Sequence, residues 1–316
     1  MTSRSVLRTG VLALLWGSCF LWIELALTGL TPVQLTVIRC ALGAAVLLVL
    51  ARVGGQRLPR SARTWGHLAV AALFCNAVPF ALFAIGQQSV DSGVAGVINA
   101  TTPLWSLLIG FSLGLDRDLR PVRLGGLALG FAGVVLIFAP WQQNGLMGLG
   151  APALLGAAAS YAVAFTYMGR HLVGKGGPMA ISAAQLATAT AWSALALPSS
   201  GPAHPNVTAI VAVIVLGVFG TGATFVLNYR IIEDEGPTAA ATVGYLLPVV
   251  SVALGAIVLG EPLTVRVVLG MAVVLAGVAM TRLAVPRRPQ EVSSRHHFTV
   301  ISTEREHAGG CSVDDR

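Results

Sequence analysis

Runs of about 20 predominantly apolar residues recur along this chain, and no other feature restricts its fold so much. Each run is long enough to cross a hydrocarbon core of about 30 Å as an α-helix. A helix pairs its own backbone groups, which a lipid interior demands. Charged residues make up only 10% of the 316 positions, and hydrophobic residues 55%. A soluble domain carries about 25% charged residues, so this chain cannot cover a water-facing surface with those it has. Barrel strands would alternate apolar and polar residues over about 10 positions, and no such alternation occurs. The expected fold class is therefore an all-α polytopic membrane protein.

Ten spans are expected, at about 10–27, 32–51, 68–88, 93–113, 124–139, 148–168, 178–197, 207–229, 238–259 and 265–283. Two of them share a layout. DSGVAGVINATTPLWSLLIGFSLGLD (91–116) and GPTAAATVGYLLPVVSVALGAIVLGE (236–261) carry Pro103 and Pro248, each 13 positions before a closing acid, Asp116 or Glu261. Ala95 and Ala240, Ser106 and Ser251, and Gly110 and Gly255 coincide at the same offset as the prolines. Such a match points to two copies of one unit. Residues 1–145 and 146–285 would each hold five spans, and residues 286–316 form a polar tail without apolar periodicity, expected to be disordered and cytoplasmic. An odd number of spans per copy turns the second copy over, giving two inverted five-helix repeats.

Basic residues orient the chain. With the N-terminus inside, the cytoplasmic segments take Arg4, Arg8, Arg52, Arg57, Arg60, Arg63, Arg117, Arg120, Arg123, Arg170, Lys175, Arg230, Arg282 and the arginines of the tail. Of the 20 basic residues only Arg39, inside a span, and Arg266 fall elsewhere. Both termini are then cytoplasmic, in a multi-pass protein of the cytoplasmic (inner) membrane. The same loops account for the formal charge of +7 without a nucleic-acid partner. Cys19, Cys40 and Cys75 sit in apolar runs and Cys311 in the tail, with no metal or disulfide spacing. The adjacent His296 and His297 are too little to make a metal site. GRHLVGKG (169–176) approaches a P-loop, but Gly176 stands where the magnesium-binding hydroxyl belongs and the segment follows a membrane helix rather than a strand. No cofactor, metal or catalytic residue is expected, and the chain is not read as an enzyme.

WGSCF (16–20), the second-span arginine in VIRCALGA (37–44) and, above all, GPTAAATVGYLLPVVSVALGAIVLGEPLTVRVVLGMAVVLAGVAM (236–280) resemble the EamA-type repeats of the drug/metabolite transporter superfamily. The resemblance covers about residues 5–283. It implies a ten-helix carrier whose central cavity is lined by spans 1–4 and 6–9, with spans 5 and 10 peripheral. It also makes Gly260-Glu261-Pro262 a tight outer turn. The sequence departs from the pattern where Gln185 stands at the second-copy position of Arg39, Tyr161 at that of Trp16, and Asp116 in place of the terminal Glu.

Ionisable groups at membrane depth are functional candidates by default. Glu24 follows Trp16, Ser18, Phe20 and Trp22 toward the outer end of the first span. It could carry a coupling proton or bind a cation, or it could simply meet headgroups and water. No partner acid is visible in the spans, which favours a facilitator. Arg39 could face an anionic substrate, or act as a structural lock paired with Glu24 or with helix carbonyls. Uncharged polar residues at depth include Asn76, Asn99, Thr101, Thr102, Gln185, Thr221, Asn228 and Tyr245. Asn76 and Phe80 share a helical face, as do Phe225 and Asn228, and the two phenylalanines stand at matched places in the copies. Aromatic walls with a few amides suit a small amphipathic organic molecule, so Trp16, Asn76, Phe80, Asn99, Tyr161, Phe225, Asn228 and Tyr245 are the expected substrate-binding residues. Pro79, Pro103 and Pro248 interrupt spans. The last two mark a gate or cavity wall, and Glu261 a structural corner. Trp65, Trp141 and Trp192 lie at span boundaries, as belt tryptophans do. Glycines at 126, 130, 133, 270 and 277 suit close helix packing within the chain or in a homodimer.

The expected function is a secondary transporter that moves a small organic metabolite, amino acid or drug across the cytoplasmic membrane by alternating access, with efflux as the direction the resemblance implies. An importer, or a non-transporting membrane enzyme or sensor, is the alternative.

Overall fold

Every regular element among the described residues is helical, as the apolar runs require. The computed structural model describes residues 3–112, 121–138, 149–172, 174–228 and 243–283. Asp116, Arg117, Asp118, Arg120, Trp141, Tyr229, Arg230, the Glu233–Glu235 cluster and the tail with His296 and His297 lie outside them, as do the side chains of Pro103, Arg123 and Tyr245. The elements are α1 (Ser3–Gly17), α2 (Cys19–Leu27), α3 (Pro32–Val53), α4 (Ala62–Ala72), α5 (Val78–Gly86), α6 (Ser92–Asn99), α7 (Thr102–Ser112), α8 (Pro121–Phe138), α9 (Gly150–His171), α10 (Pro178–Ala194), α11 (Val207–Gly217), α12 (Leu247–Leu254) and α13 (Val265–Leu283).

Among the described residues, six helical stretches are long and apolar enough to cross a membrane: Leu7–Leu27, Pro32–Val53, Ala62–Gly86, Gly150–Met168, Met179–Ser199 and Val207–Asn228. They correspond to the expected spans 1–3 and 6–8. Shorter apolar helices, Leu124–Gly133, Leu247–Leu259 and Val265–Gly277, fall on spans 5, 9 and 10. Large apolar side chains such as Leu14, Val49, Phe165, Phe219 and Ile257 stand exposed along these helices. In water that surface would be a liability, whereas hydrocarbon solvates it.

Local chemistry sets the ends. Thr31 and Gln34 form a capping box at the start of α3, with Pro32 in the first turn, where its missing N–H costs nothing. Asn206 caps α11 by accepting from the Ala209 amide at 2.8 Å. The fourth expected span is broken between α6 and α7, just ahead of Pro103. A proline at 103 cannot donate to the Asn99 carbonyl, and the Thr102 hydroxyl donates to that carbonyl instead, at 2.7 Å. A turn of 3₁₀ helix at Val243–Tyr245 precedes α12 and Pro248 in the same way. Three segments widen to π-helix: Leu73–Ala77 between α4 and α5, Val218–Ala223 after α11, and Gly255–Leu259 after α12.

Helices from the two halves pack on one another: α3 along α10, α2 on α11, α5 on α9, α6 on α12 and α8 along α13. The glycines noted in the sequence serve the last of these contacts. A Cβ on Gly133 would stand 2.7 Å from the Val274 amide nitrogen, and one on Gly277 would strike the Gly130 backbone. Gly96 likewise has no room for a side chain against Ser251, which brings α6 and α12 together.

Candidate functional site

The buried polar residues of the spans meet where α3 and α10 face the two π-segments. Arg39, on α3, is 6% exposed. Its Nε donates to Thr221 Oγ1 at 2.9 Å, and its guanidinium carbon stands 3.7 Å above the centre of the Phe80 ring. Thr221 lies in the π-segment after α11 and donates to the Leu216 carbonyl at 3.1 Å. The lack of a Cβ at Gly43 makes room beside it, since one there would stand 2.9 Å from the Thr221 methyl. On α10, Gln185 donates through Nε2 to Asn76 Oδ1 at 2.7 Å, and Asn76 lies in the π-segment after α4. Gln185 and Asn76 are fully buried, and Asn76 Nδ2 and Gln185 Oε1 find no partner among the described residues. Arg39 is thus held by a hydroxyl and an aromatic face, and is not paired with Glu24 among the described residues.

An aromatic wall borders this polar centre. Phe80 packs with Cys40, Ala72 and Ala189, and Tyr161 lies against that group. The Tyr161 ring is 6.0 Å from that of Phe83 and 5.9 Å from that of Phe165. Trp16 and Tyr161 both pack on the largest apolar cluster, which also holds Cys19, Phe20 and Phe83. The structure therefore groups Arg39, Asn76, Phe80 and Tyr161, with Trp16 on a shared cluster. Phe225 stands in a separate group with Ala44, Leu47, Ala183 and Leu186 along the seam of α3 and α10. Asn99 ends α6 beside the break, with Oδ1 buried and unpaired. Asn228 is half-buried at the last described position of its span.

A second polar group lies at the end of the molecule that carries Gly260. Gly260 takes a left-handed conformation, φ 69°, and turns the chain so that Glu261 points back. Glu261 accepts from the amides of Ser92 at 2.7 Å and Gly93 at 3.0 Å, which are the first two of α6. Those amides are unpaired in any helix, and the helix dipole favours a negative charge there. A side chain at Gly255 would collide with this carboxylate. Asp91, just ahead of α6, makes no side-chain cap, because Glu261 holds the amides it would have used. Burial, and then the neighbouring Glu261, push the Asp91 carboxyl above its usual range. Glu24 is also within electrostatic reach of Asp91 and Glu261. Gln87 bridges inward, donating to the Phe20 carbonyl at 2.8 Å and approaching Glu24 Oε2 at 3.5 Å. No metal-binding group of three or more ligands occurs among the described residues.

The sequence marked Gln185 as the second-copy counterpart of Arg39 and Thr221 only as a polar residue at depth, and neither was among the expected substrate-binding residues, yet they hold the two central bonds. The offset between copies could have found them, since Asn76 and Thr221 differ by 145 and Arg39 and Gln185 by 146. A further group went unnoticed. The Tyr167 hydroxyl lies 2.8 Å from His67 Nδ1, and His171 stacks on His67 with ring centres 4.7 Å apart. Trp65 and Trp192 donate to the Pro59 and Ala69 carbonyls, at 2.9 and 3.0 Å.

Residues 6–139 and 148–283 each match the EamA-like transporter family. An uncharacterized transporter of Archaeoglobus fulgidus is 26% identical over 268 residues, 83% of this chain and 93% of its own length. The uncharacterized inner membrane transporter YedA of Escherichia coli K12 is 26% identical over 276 residues, 86% of this chain and 88% of its own. A crystal structure with 22% identity superposes with a TM-score of 0.64, covering 90% of this chain and 98% of that one, and shares its fold.

Proposed function

The chain belongs to the EamA-like transporter family, and from that premise we propose that it is a secondary carrier for a small organic solute in the cytoplasmic membrane. The reading is of ten spans in two inverted five-helix repeats that rock around one central site. The observation that carries it is the pair of central hydrogen bonds. Arg39 of the first half bonds Thr221 of the second, and Gln185 of the second half bonds Asn76 of the first. Exchanging the halves turns one bond into the other, so the polar centre sits at the joint about which two such repeats would move. The π-segments holding the acceptors, Leu73–Ala77 and Val218–Ala223, begin at matched positions. Such segments occur often at functional sites. Efflux is the favoured direction, with both termini in the cytoplasm.

Reconstitution into sealed proteoliposomes tests the reading. A carrier gives saturable uptake of a labelled solute, accelerated when the same solute is loaded inside. Flux that is absent or unsaturable across a broad library of metabolites and drugs would make the protein a non-transporting membrane component.

A further inference from the structure

Arg39 is a buried cation to which the described residues supply no negative charge. It lies in the span Pro32–Val53 and is 6% exposed. Its Nε–H goes to the Thr221 hydroxyl and one face of the guanidinium to the Phe80 ring. Its two terminal amino groups donate no hydrogen bond among the described residues. A buried charge held only by a hydroxyl and an aromatic face is under-compensated, because desolvation of an ion is balanced by an opposite charge in good geometry. A guanidinium whose Nε is occupied still offers the edge between its terminal nitrogens, two parallel donors that match the two oxygens of a carboxylate.

The neighbours narrow the ligand further. One turn along the chain from Phe80, Asn76 Nδ2 is a buried donor without a partner among the described residues, and on the facing helix Gln185 Oε1 is such an acceptor. Both are neutral. The polar centre therefore offers one positive charge, one extra donor and one extra acceptor, with Phe80 and Tyr161 as apolar wall. That set matches a single negative charge and leaves a dianion half-neutralised. It offers an ammonium group no carboxylate.

We propose that Arg39 receives the carboxylate of the transported solute, and that this solute is a small organic monocarboxylate with a neutral hydrogen-bonding group rather than a cation or a dianion. The inference rests on the carrier reading and names the substrate class of its central site.

The test uses the purified full chain in detergent and a matched set of probes: 3-phenylpropanoate, 3-phenyllactate, 3-phenylpropanamide, 3-phenylpropylamine and phenyl phosphate. The two carboxylates should raise the thermal midpoint in a saturable way, and the amide, amine and phosphate should not. Arg39→Gln should weaken carboxylate binding on the order of a hundredfold, and Arg39→Lys should recover part of it. In the absence of ligand Arg39→Gln should melt no lower than wild type, because it removes an uncompensated charge. The proposal is overturned if neither carboxylate shifts the wild type, if the amide or amine shifts it equally, or if Arg39→Gln keeps the carboxylate response. A ligand-free Arg39→Gln protein that melts well below wild type would make the arginine a structural lock instead. Counterflow of a stabilising carboxylate in proteoliposomes then addresses the carrier reading by itself. Charge-selective binding without flux would sink that reading and leave the site assignment standing.

Discussion

The charged side chains of Arg39 and Glu261 both cross between the halves, and they differ in what they meet. Arg39 meets a hydroxyl and an aromatic ring, whereas the Glu261 carboxylate meets two helix-terminal amides at 2.7 and 3.0 Å. Glu261 is thus fully used within the fold, which suits the structural role its Gly-Glu-Pro corner suggested. Glu261→Ala should destabilise the protein by about 2–3 kcal/mol by leaving both amides of α6 without an acceptor, and Glu261→Gln by about half as much. Thermal midpoints in detergent would show that order, and equal midpoints for all three proteins would refute it. Asp91 gives a prediction in pH. Its folded carboxyl titrates above the usual range because burial and Glu261 disfavour the charge. Between the unfolded and the folded value the folded state holds more protons, so stability falls as pH rises through that window. The penalty grows as pH rises from the unfolded toward the folded value, and it is absent well below the unfolded Asp value of about 3.9, where both states are protonated. Asp91→Asn should therefore raise the midpoint modestly at pH 7, with the gain shrinking as pH falls and disappearing by about pH 3. A gain that persists at low pH would mean that the effect is not electrostatic. The corner at Glu261 was legible through the family resemblance, which implied a tight Gly-Glu-Pro turn there. The His67–Tyr167–His171 group was not, because His67 and Tyr167 stand 100 residues apart and nothing local in either segment names the other.

Prolines told where spans 4 and 9 would be interrupted; the helix does break just ahead of Pro103, and a turn of 3₁₀ helix stands just ahead of Pro248. The break precedes the proline because the carbonyl four residues earlier loses its donor and the turn between them reorganises. The π-segments were not legible, since an i to i+5 turn has no residue signature; only their matched starts, Leu73 and Val218, tie them to the repeat. The glycines of the fifth and tenth spans were legible as close-packing residues, but their partner was not. They fit α8 to α13 within the chain, and a Cβ on Gly277 would meet the Gly126 carbonyl at 2.6 Å. Gly277→Val should push these helices apart at a cost of about 1–3 kcal/mol. None of the central polar residues lies on α8 or α13, so the solute concentration giving half-maximal counterflow should stay at the wild-type value. A lowered midpoint with an unchanged half-saturation is the expected pair of results. A shifted half-saturation would place the site against this helix pair.

At the scale of the whole molecule, apolar run length and charge scarcity made the membrane class legible, and the basic loops made a topology that the ends of the molecule can test. Loops 54–61 and 174–177 share one end, where Gln56 Oε1 accepts from the Ala180 amide at 3.2 Å. Loops 28–31 and 200–206 share another contact, with the His204 amide donating to the Gly29 carbonyl at 3.2 Å. On the basic-residue rule the first pair is cytoplasmic and the second external. A membrane-impermeant maleimide applied to intact cells should label His204→Cys and spare Arg57→Cys, against the low background of the buried Cys19, Cys40 and Cys75; the reverse pattern would invert the topology. That orientation bears on energy coupling. From the sequence, Glu24 was the one plausible proton carrier, and the lack of a partner acid favoured a facilitator. Partner acids do exist, but they lie far off in the chain, at 91 and 261, and only folding brings them within electrostatic reach of Glu24. Asp91 is only partly buried at the chain turn before α6, and Gln87 stands 3.5 Å from Glu24. A carboxylate with two further acids in electrostatic reach is a better candidate for proton exchange at membrane depth than a lone one. Solute accumulation in proteoliposomes should therefore respond to an imposed pH gradient, and Glu24→Gln should abolish that response while leaving counterflow intact, because exchange moves no net proton. A wild-type flux that ignores the gradient, or a Glu24→Gln protein that still follows it, would make the carrier a facilitator and leave the three carboxylates as parts of its outer framework.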